Sequence, residues 1–298
     1  MAFDSIQIGG TVSWIMEILS TGLIQPQDFN LPPISEMNFT FASRQENFDI
    51  VVDSRRNAEY AQKIIAMILF DEAGKPFRLG IRSAAKILDE RYGLDIAGHR
   101  TLDLAVYNAH GRQGCMTPNQ YWVPGMLSPM PMMGKYFVYY GGEFVNPREL
   151  GRRCVYRMVY ELFSENSGVC RFHRKWVEAI VDEIISAHYD LNIDYKAHQF
   201  ELCRDIYDHD GSGVVFWESE RIFDMAAKFL EDWKARGLQD PVLNDWIERF
   251  HIDRNLAARD FWEEMRAGIA EAFQAGSEAI PAINPPYKAA KLDIMEKK

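Results

Sequence analysis

Cysteine is scarce. The 298 residues hold four, Cys115, Cys154, Cys170 and Cys203, and no two lie within a few positions of each other. This spacing excludes a CxxC metal knuckle and a thioredoxin-type motif, and a disulfide framework is not expected in a chain this large and without a secretory leader. Long apolar runs are also missing. The longest, Ile64 to Phe70, is far too short to cross a bilayer, so no membrane association is expected. Met1 is followed by Ala-Phe-Asp rather than by a charged and then an apolar region, and the chain reads as cytoplasmic. Basic tracts are absent. Lys and Arg number 33 against 43 Asp and Glu, a net charge of −10, which disfavours a nucleic-acid partner. Neither Gly9-Gly10 nor Gly141-Gly142 belongs to a P-loop or a GxGxxG turn, and no GxSxG elbow or HExxH pair occurs.

What is present is helical. Hydrophobic residues make up 47% of the chain and aromatics 13%, enough for a substantial core. Ile8, Val12, Ile15 and Leu19 share one face of a segment that starts near Ser5 and closes at Gly22. Ala58, Ala61, Ile64, Ile65 and Ile68 mark a second helix over 57–69. Phe77, Ile81, Ala84, Ala85 and Leu88 mark a third over 75–92, closed by Gly93. Further helices are expected over 147–163, 176–189, 196–207, 218–233, 241–250 and 256–273. Alternation of strand type is confined to Lys135 to Tyr140, a short strand or hairpin arm before Gly141-Gly142. The expected fold class is all-α and multihelical, with nine or ten helices and no solenoid repeat. One stretch breaks the pattern. Residues 107–146 hold four prolines, five methionines and Tyr121-Trp122. A loop this long inside a helical domain either lines a site or packs at an interface. Residues 279–298, with Pro281, Pro285 and Pro286, read as a surface tail.

Two constellations carry chemistry. Asp208-His-Asp210-Gly-Ser212-Gly213-Val214-Val215 imitates a calcium loop, but its twelfth position is Ser219 instead of a bidentate glutamate, and Glu218 and Glu220 flank that position out of phase. An ordinary Asp/Gly turn between helices explains the same letters. The second is Glu165-Asn166-Ser167-Gly168-Val169-Cys170-Arg171. Here a helix ends in a carboxylate, small turn formers, a glycine that permits close backbone approach, and a cysteine among Arg171, His173 and Arg174. The carboxylate could accept paired N–H donors from a guanidine-like heterocycle. A helix–helix turn with a buried cysteine is the plain alternative. Of the seven histidines, only His110 and His173 stand out, through their positions in irregular segments.

The Glu165–Arg171 segment resembles the DxxGL(C/D) element of the tungsten-containing aldehyde ferredoxin oxidoreductases. Glu165 stands at the Asp position, Gly168 matches, Val169 replaces Leu, and Cys170 is the Cys. The family carries this element twice, and the earlier copy is also recognisable. Ala2-Phe3-Asp4-Ser5-Ile6 followed by Gly9-Gly10-Thr11 is similar to Gly-Leu-Asp-Thr-Ile-x-x-Gly-Gly-Thr, with Asp4 at the final Asp. Met16-Glu17-Ile18-Leu19, Gly22-Leu23-Ile24 and Glu220-Arg-Ile-Phe223 continue the likeness. The resemblance spans nearly the whole chain but only the C-terminal half to two-thirds of a family member.

This resemblance implies a C-terminal portion of a tungstopterin and iron–sulfur oxidoreductase, with a partial helical domain over 1–95 and a C-terminal helical domain over 96–298. The implied cofactors are a tungsten or molybdenum bis-pterin and a [4Fe–4S] cluster, both shared with an N-terminal domain or subunit. Asp4, Ser5 and Glu165 would face the pterins, Val169 and Arg171 would assist through their backbones, and Cys170 would be the single cluster ligand. Ferredoxin or another electron-transfer protein would take the electrons, and alone the chain would be inactive. A cluster needs four thiolates, so one cysteine completing three from elsewhere would join two domains through the metal.

Three departures accompany the likeness. The β-rich N-terminal domain and its CxxCxxxC are absent. The Asp-Pro-Arg-Gly segment appears as Asn108-Ala109-His110-Gly111. No downstream His is evident around Met126 to Lys135, a departure from the family members that carry out ordinary aldehyde oxidation. The Met/Pro-rich loop is closer to the bacterial branch that includes the tungsten subunit of benzoyl-CoA reductase, with Lys135 in place of a pterin-contacting Lys. The other cysteines read as structural. Rival readings are a non-redox helical interaction or calcium-binding module and a non-catalytic paralogue, and a homodimer is among the partners compatible with the main reading.

Overall fold

A computed structural model of the chain describes residues 5–35, 37–38, 48–107, 144–166, 168, 181–189, 194–210, 216 and 218–281, apart from the side chains of 5–7, 161–165, 181–182, 185, 195 and 210. The expected strand at 135–140, most of the loop over 107–146 and most of the tail lie outside these residues. Among the described residues there is no strand and there are ten α-helices, so the fold is all-α. They are α1 (Ser5–Thr21), α2 (Ile50–Phe70), α3 (Ile81–Tyr92), the single turn α4 (Leu94–Ala97), α5 (Pro147–Asn166), α6 (Val181–Tyr189), α7 (Tyr195–Asp210), α8 (Glu220–Ala235), α9 (Pro241–Ile252) and α10 (Arg254–Ala275).

The apolar periods become the core. Trp14, Ile15, Ile18 and Leu19 of α1 are buried against Ile64, Met67 and Ile68 of α2 and Ala84, Ala85 and Leu88 of α3 within one core cluster. Trp14 donates its indole N–H to the carbonyl of Thr101 at 3.0 Å and meets Phe77 edge-on. Helix α2 starts at Ile50, seven residues before its apolar period, because Asp49 caps it. The Asp49 carboxylate accepts the backbone N–H groups of Val51 and Val52 at 3.0 and 2.8 Å. The single helix expected over 75–92 is broken. Pro76–Leu79 is a 3-10 turn, and Gly80, at φ +92°, separates it from α3. Asp89, fully buried in α3, then caps the turn Thr101–Leu104 across space. It accepts the Thr101 N–H at 2.6 Å, the Thr101 hydroxyl at 2.7 Å and the Leu102 N–H at 3.2 Å. Burial outweighs these bonds and raises the Asp89 pKa above the ordinary carboxylate value.

The second half is organised around α5 and α10. The two helices pack on each other and close at two glycines. An added Cβ on Gly151 would stand 2.0 Å from the Met265 carbonyl oxygen, and one on Gly268 would stand 1.8 Å from that of Arg148. Bare backbone at both crossing points permits this approach. Arg148 reaches Glu264 at 3.0 Å and Glu271 at 3.5 Å, and Arg152 also pairs with Glu271. These pairs are too exposed to account for much of the stability, so close packing carries it. Helices α8 and α9 cover the far side of α10, where Trp246 packs edge-on to Phe261 with ring centroids 5.1 Å apart. Asp240 and Asp253 cap α9 and α10. Helix α7 is anchored by Phe200 and Tyr207 against Phe273.

Candidate functional site

Of the two segments singled out by sequence, the structure describes only a part of each. Asp4 lies outside the described residues, while Ser5 opens α1. Glu165 is in the last turn of α5. Val169, Cys170 and Arg171 lie outside the described residues, as do His110, Lys135 and His173. The side chains of Ser5 and Glu165 are likewise undescribed. What the structure defines is the scaffold that delivers both segments. At the end of α5, Asn166 donates its side-chain N–H to the buried Gln199 of α7 at 2.9 Å. Gly168 follows at φ +77°, and a Cβ there would meet nothing within 4 Å. The positive φ, not crowding by neighbouring residues, is what favours glycine at this position.

The scaffold also joins two of the stretches that carry the family likeness. Met16-Glu17-Ile18-Leu19 lies in α1 and Glu220-Arg-Ile-Phe223 opens α8, some 200 positions later. Arg221 donates through both terminal nitrogens to the two carboxylate oxygens of Glu17, each at 2.6 Å. Ile18, Leu19, Ile222 and Phe223 are all buried. A bidentate, half-buried pair of this kind fixes orientation as well as proximity.

A polar cluster beside this junction escaped the sequence reading. Glu218 bonds Arg82, Lys86 at 2.8 Å and the Tyr107 hydroxyl at 3.3 Å. The Tyr107 oxygen in turn accepts the Glu218 backbone N–H at 3.2 Å, and Arg100 donates to the Glu218 carbonyl at 3.2 Å. The side-chain partners of Glu218 are 111 to 136 positions away in sequence, and no local pattern announces them. The one available hint was a glutamate just before a helix that fitted no loop motif. Burial raises the Glu218 pKa, but Arg82 and Lys86 outweigh it and hold the carboxylate below its usual value. Burial and the neighbouring Glu218 charge push the Tyr107 phenol well above its usual value. At neutral pH the cluster is therefore an ionised clasp rather than an acid–base pair. It ties α3 and the chain at Tyr107, where the irregular segment begins, to the entrance of α8.

Glu218 and Glu220 are thus committed to cations, since Glu220 pairs with Arg254. Asp208 and Asp210 are both inside α7. A helical backbone at these positions differs from the loop backbone that a calcium loop requires. Residues 211–215 lie outside the described residues. Among the described residues no group of three or more His, Cys, Asp or Glu could hold a metal ion. Cys154 and Cys203 are buried thiols outside any disulfide, and burial pushes the Cys203 thiol up to about 12. Neither is placed as a thiolate donor. His99, His188, His198, His209 and His251 are exposed, and His251 meets Glu231 at 2.7 Å. Among the described residues no helix is long and apolar enough to cross a membrane.

Comparison with known proteins gives these observations a context. Over 268 residues, 88% of this chain, the sequence is 30% identical to glyceraldehyde-3-phosphate:ferredoxin oxidoreductase of Pyrococcus furiosus, and it covers 39% of that protein. Over 261 residues, 84% of this chain, it is 32% identical to an uncharacterized protein of Methanocaldococcus jannaschii, and it covers 42% of it. The chain is thus a partial homologue of a ferredoxin oxidoreductase and spans about two fifths of the length of these relatives. No family model matches the chain, and no solved structure matches it significantly.

Proposed function

We propose that this chain is the C-terminal portion of a tungstopterin and iron–sulfur oxidoreductase of the aldehyde ferredoxin oxidoreductase type. The observation that carries the reading is the similarity over 88% of the chain to an enzyme named for ferredoxin reduction. The two half-motifs at Asp4–Ser5 and Glu165–Cys170 support it, since Ser5 opens α1 and Glu165 lies in the last turn of α5. The donor set fits a shared group rather than a complete one. With Cys154 and Cys203 buried in the core, the chain retains too few available thiolates for a whole cluster, but Cys170 follows a conformationally permissive glycine at a helix end.

In this reading Asp4 and Glu165 accept hydrogen bonds from the pterins, and Ser5 assists at the start of α1. Val169 and Arg171 contribute backbone groups, and Cys170 gives one thiolate to the [4Fe–4S] cluster. When bound, the metal–pterin centre supplies two-electron oxidation of substrate, and the cluster supplies single electrons to ferredoxin. The chain's own task is orientation. The Asn166–Gln199 bond holds the α5 end, the Gly151–Gly268 crossing fixes the start of α5 against α10, and Glu17–Arg221 holds α1. The remaining ligands come from an N-terminal domain or subunit, and an aldehyde is the substrate class suggested by the relative's name.

The test is reconstitution with a polypeptide equivalent to the part of the Pyrococcus relative that this chain does not match, in the presence of tungstate, iron and sulfide. Glyceraldehyde-3-phosphate and simpler aldehydes are then offered with oxidised ferredoxin. Aldehyde-dependent ferredoxin reduction by the pair, and by neither part alone, is the expected result. A pair that assembles with full metal content and reduces no ferredoxin with any aldehyde overturns the proposed activity.

A further inference from the structure

Four consecutive residues at the entrance of α8 grip three separate elements of the first half of the chain. Glu218 holds Arg82 and Lys86 of α3, and the Tyr107 hydroxyl. Ser219, fully buried, donates its hydroxyl to the Asp103 carbonyl at 3.3 Å. The Glu220 backbone N–H donates to the Asp103 carboxylate at 3.5 Å. Arg221 takes Glu17 of α1 with both terminal nitrogens. The gripped elements are braced to one another. Trp14 of α1 and Asp89 of α3 both bond Thr101, which opens the turn that carries Asp103. Holding α1, α3 and this turn therefore holds the first half as a unit.

On its other side α8 is fixed to the second half. Phe223 packs on Phe216 with ring centroids 5.9 Å apart, and Phe216 meets Trp262 of α10 edge-on at 5.6 Å. Arg254 of α10 pairs with Glu220 and Asp224 of α8. Helix α10 in turn closes on α5 at Gly151 and Gly268. A path of described contacts thus runs from α1, which Ser5 opens, through Arg221 and α10 to α5, whose last turn holds Glu165. Glu17 stands about 18 Å from Ser5 along a straight helix, so a rotation of about 10° at the Glu17–Arg221 pair would carry the start of α1 by about 3 Å. That displacement equals the length of a whole hydrogen bond. Directional, charge-assisted grips on three elements oppose such a rotation, where a purely apolar contact would permit sliding.

We infer that residues 218–221 form the joint that sets the orientation of the two halves, and that Glu218 and Arg221 thereby position the two segments, at Ser5 and at Glu165, that the proposed function places on the cofactor. The positioning role rests on the proposed function; the joint itself does not. Glu218 and Arg221 act through the helices they hold, not by contact with the cofactor.

The experiment measures the distance distribution between nitroxide labels on the two halves of the 298-residue chain by pulsed electron paramagnetic resonance. The labels sit on Ser54→Cys of α2 and Glu248→Cys of α9, both exposed positions, with Cys115→Ser and Cys170→Ser in the labelled chain. The parent should give one narrow distribution. Arg221→Glu, which sets a second carboxylate against Glu17, and Glu218→Gln should broaden it at least about twofold, and the milder Arg221→Lys should broaden it less. The swap Glu17→Arg/Arg221→Glu should restore the narrow distribution. Arg148→Gln, which breaks ion pairs within the second half, should leave it unchanged. Circular dichroism checks that each chain is folded. In parallel each variant, without labels and with its native cysteines, is assembled with the complementary polypeptide of the Pyrococcus relative, and tungsten and pterin content are measured. Content should fall at least about fivefold in Arg221→Glu and return in the swap. Unchanged distributions in the folded single variants, or equal broadening by Arg148→Gln, overturn the joint. Broadened distributions with wild-type tungsten and pterin content overturn the positioning role and leave the proposed function standing. A wild-type pair that holds no tungsten overturns the proposed function and the positioning role with it, while the label distances still decide the joint.

Discussion

Replacing Gly268 with alanine should destabilise the protein by about 2 kcal/mol, although alanine is the better helix former. In an open helix interior the exchange gains roughly 0.5–1 kcal/mol. At Gly268 the new Cβ would lie 1.8 Å from the Arg148 carbonyl oxygen, 2.8 Å from its carbon and 3.2 Å from its Cα. All three are backbone atoms of α5, and none can rotate away. Relief requires α5 and α10 to separate by more than about 1 Å, against an ordinary carbon–oxygen approach near 3.5 Å. Separation loosens the packing of Val155, Met158 and Val159 of α5 with Met265, Ile269 and Ala272 of α10, all buried. Overpacking of this kind costs typically about 1–3 kcal/mol, more than the propensity gain. Gly151→Ala should behave alike, because its Cβ would meet the Met265 oxygen at 2.0 Å. One separation relieves both clashes, so the double variant should cost less than the sum. Gly9→Ala in α1, where a Cβ meets nothing within 4 Å, is the internal control and should be neutral or stabilising. Urea unfolding followed at 222 nm measures all four. Equal or greater stability of Gly268→Ala would refute the close-crossing account.

Further outcomes follow from the buried charges and thiols. Glu218→Gln should cost about 1–2 kcal/mol at pH 7, because it leaves Arg82 half-compensated in a largely buried position. The Glu218 pKa is lowered in the fold, so its contribution is present above the unfolded carboxylate pKa and fades as pH falls through the folded value; the gap between wild type and Glu218→Gln should shrink on acidification. Asp89 has the opposite sign. Its raised folded pKa gives a contribution present at low pH and lost as pH rises through the folded value. Asp89→Asn should therefore flatten that part of the stability profile, while loss of an acceptor for Leu102 lowers stability by about 1 kcal/mol. An unchanged profile contradicts this. Native alkylation with iodoacetamide at pH 8 should spare Cys203, whose thiol lies at about 12, and denaturation should expose it. Rapid native labelling at Cys203, read by mass spectrometry, contradicts its placement.

The helices were largely readable because each buries one face. Val12, Ile15 and Leu19, or Ile64 and Ile68, recur at helical spacing and are buried. The sequence reading failed where another term governed. Helix α2 begins at Ile50 because Asp49 caps it, although Ile50, Val51 and Val52 are exposed and show no core-facing period. The helix expected over 75–92 starts late because Gly80 takes a positive φ that an apolar pattern does not record. The Gly151–Gly268 crossing was invisible, since a glycine gives no hydrophobic signal and its role depends on a partner helix more than a hundred residues away. The same holds for the Glu218 clasp. The segment around Cys170 was singled out by motif likeness alone, and residues 169–180 lie outside the described structure.

The central claim is that Cys170 supplies one quarter of a cluster whose other ligands lie in another part of the protein. It is tested most directly by iron analysis and low-temperature electron paramagnetic resonance on the reconstituted pair, with wild type beside Cys170→Ala. The account predicts a four-iron cluster in the wild-type pair and, in the variant, loss of that signal or its replacement by a three-iron species, with α-helical content unchanged. Identical iron content and an identical cluster spectrum in the Cys170→Ala pair would contradict it.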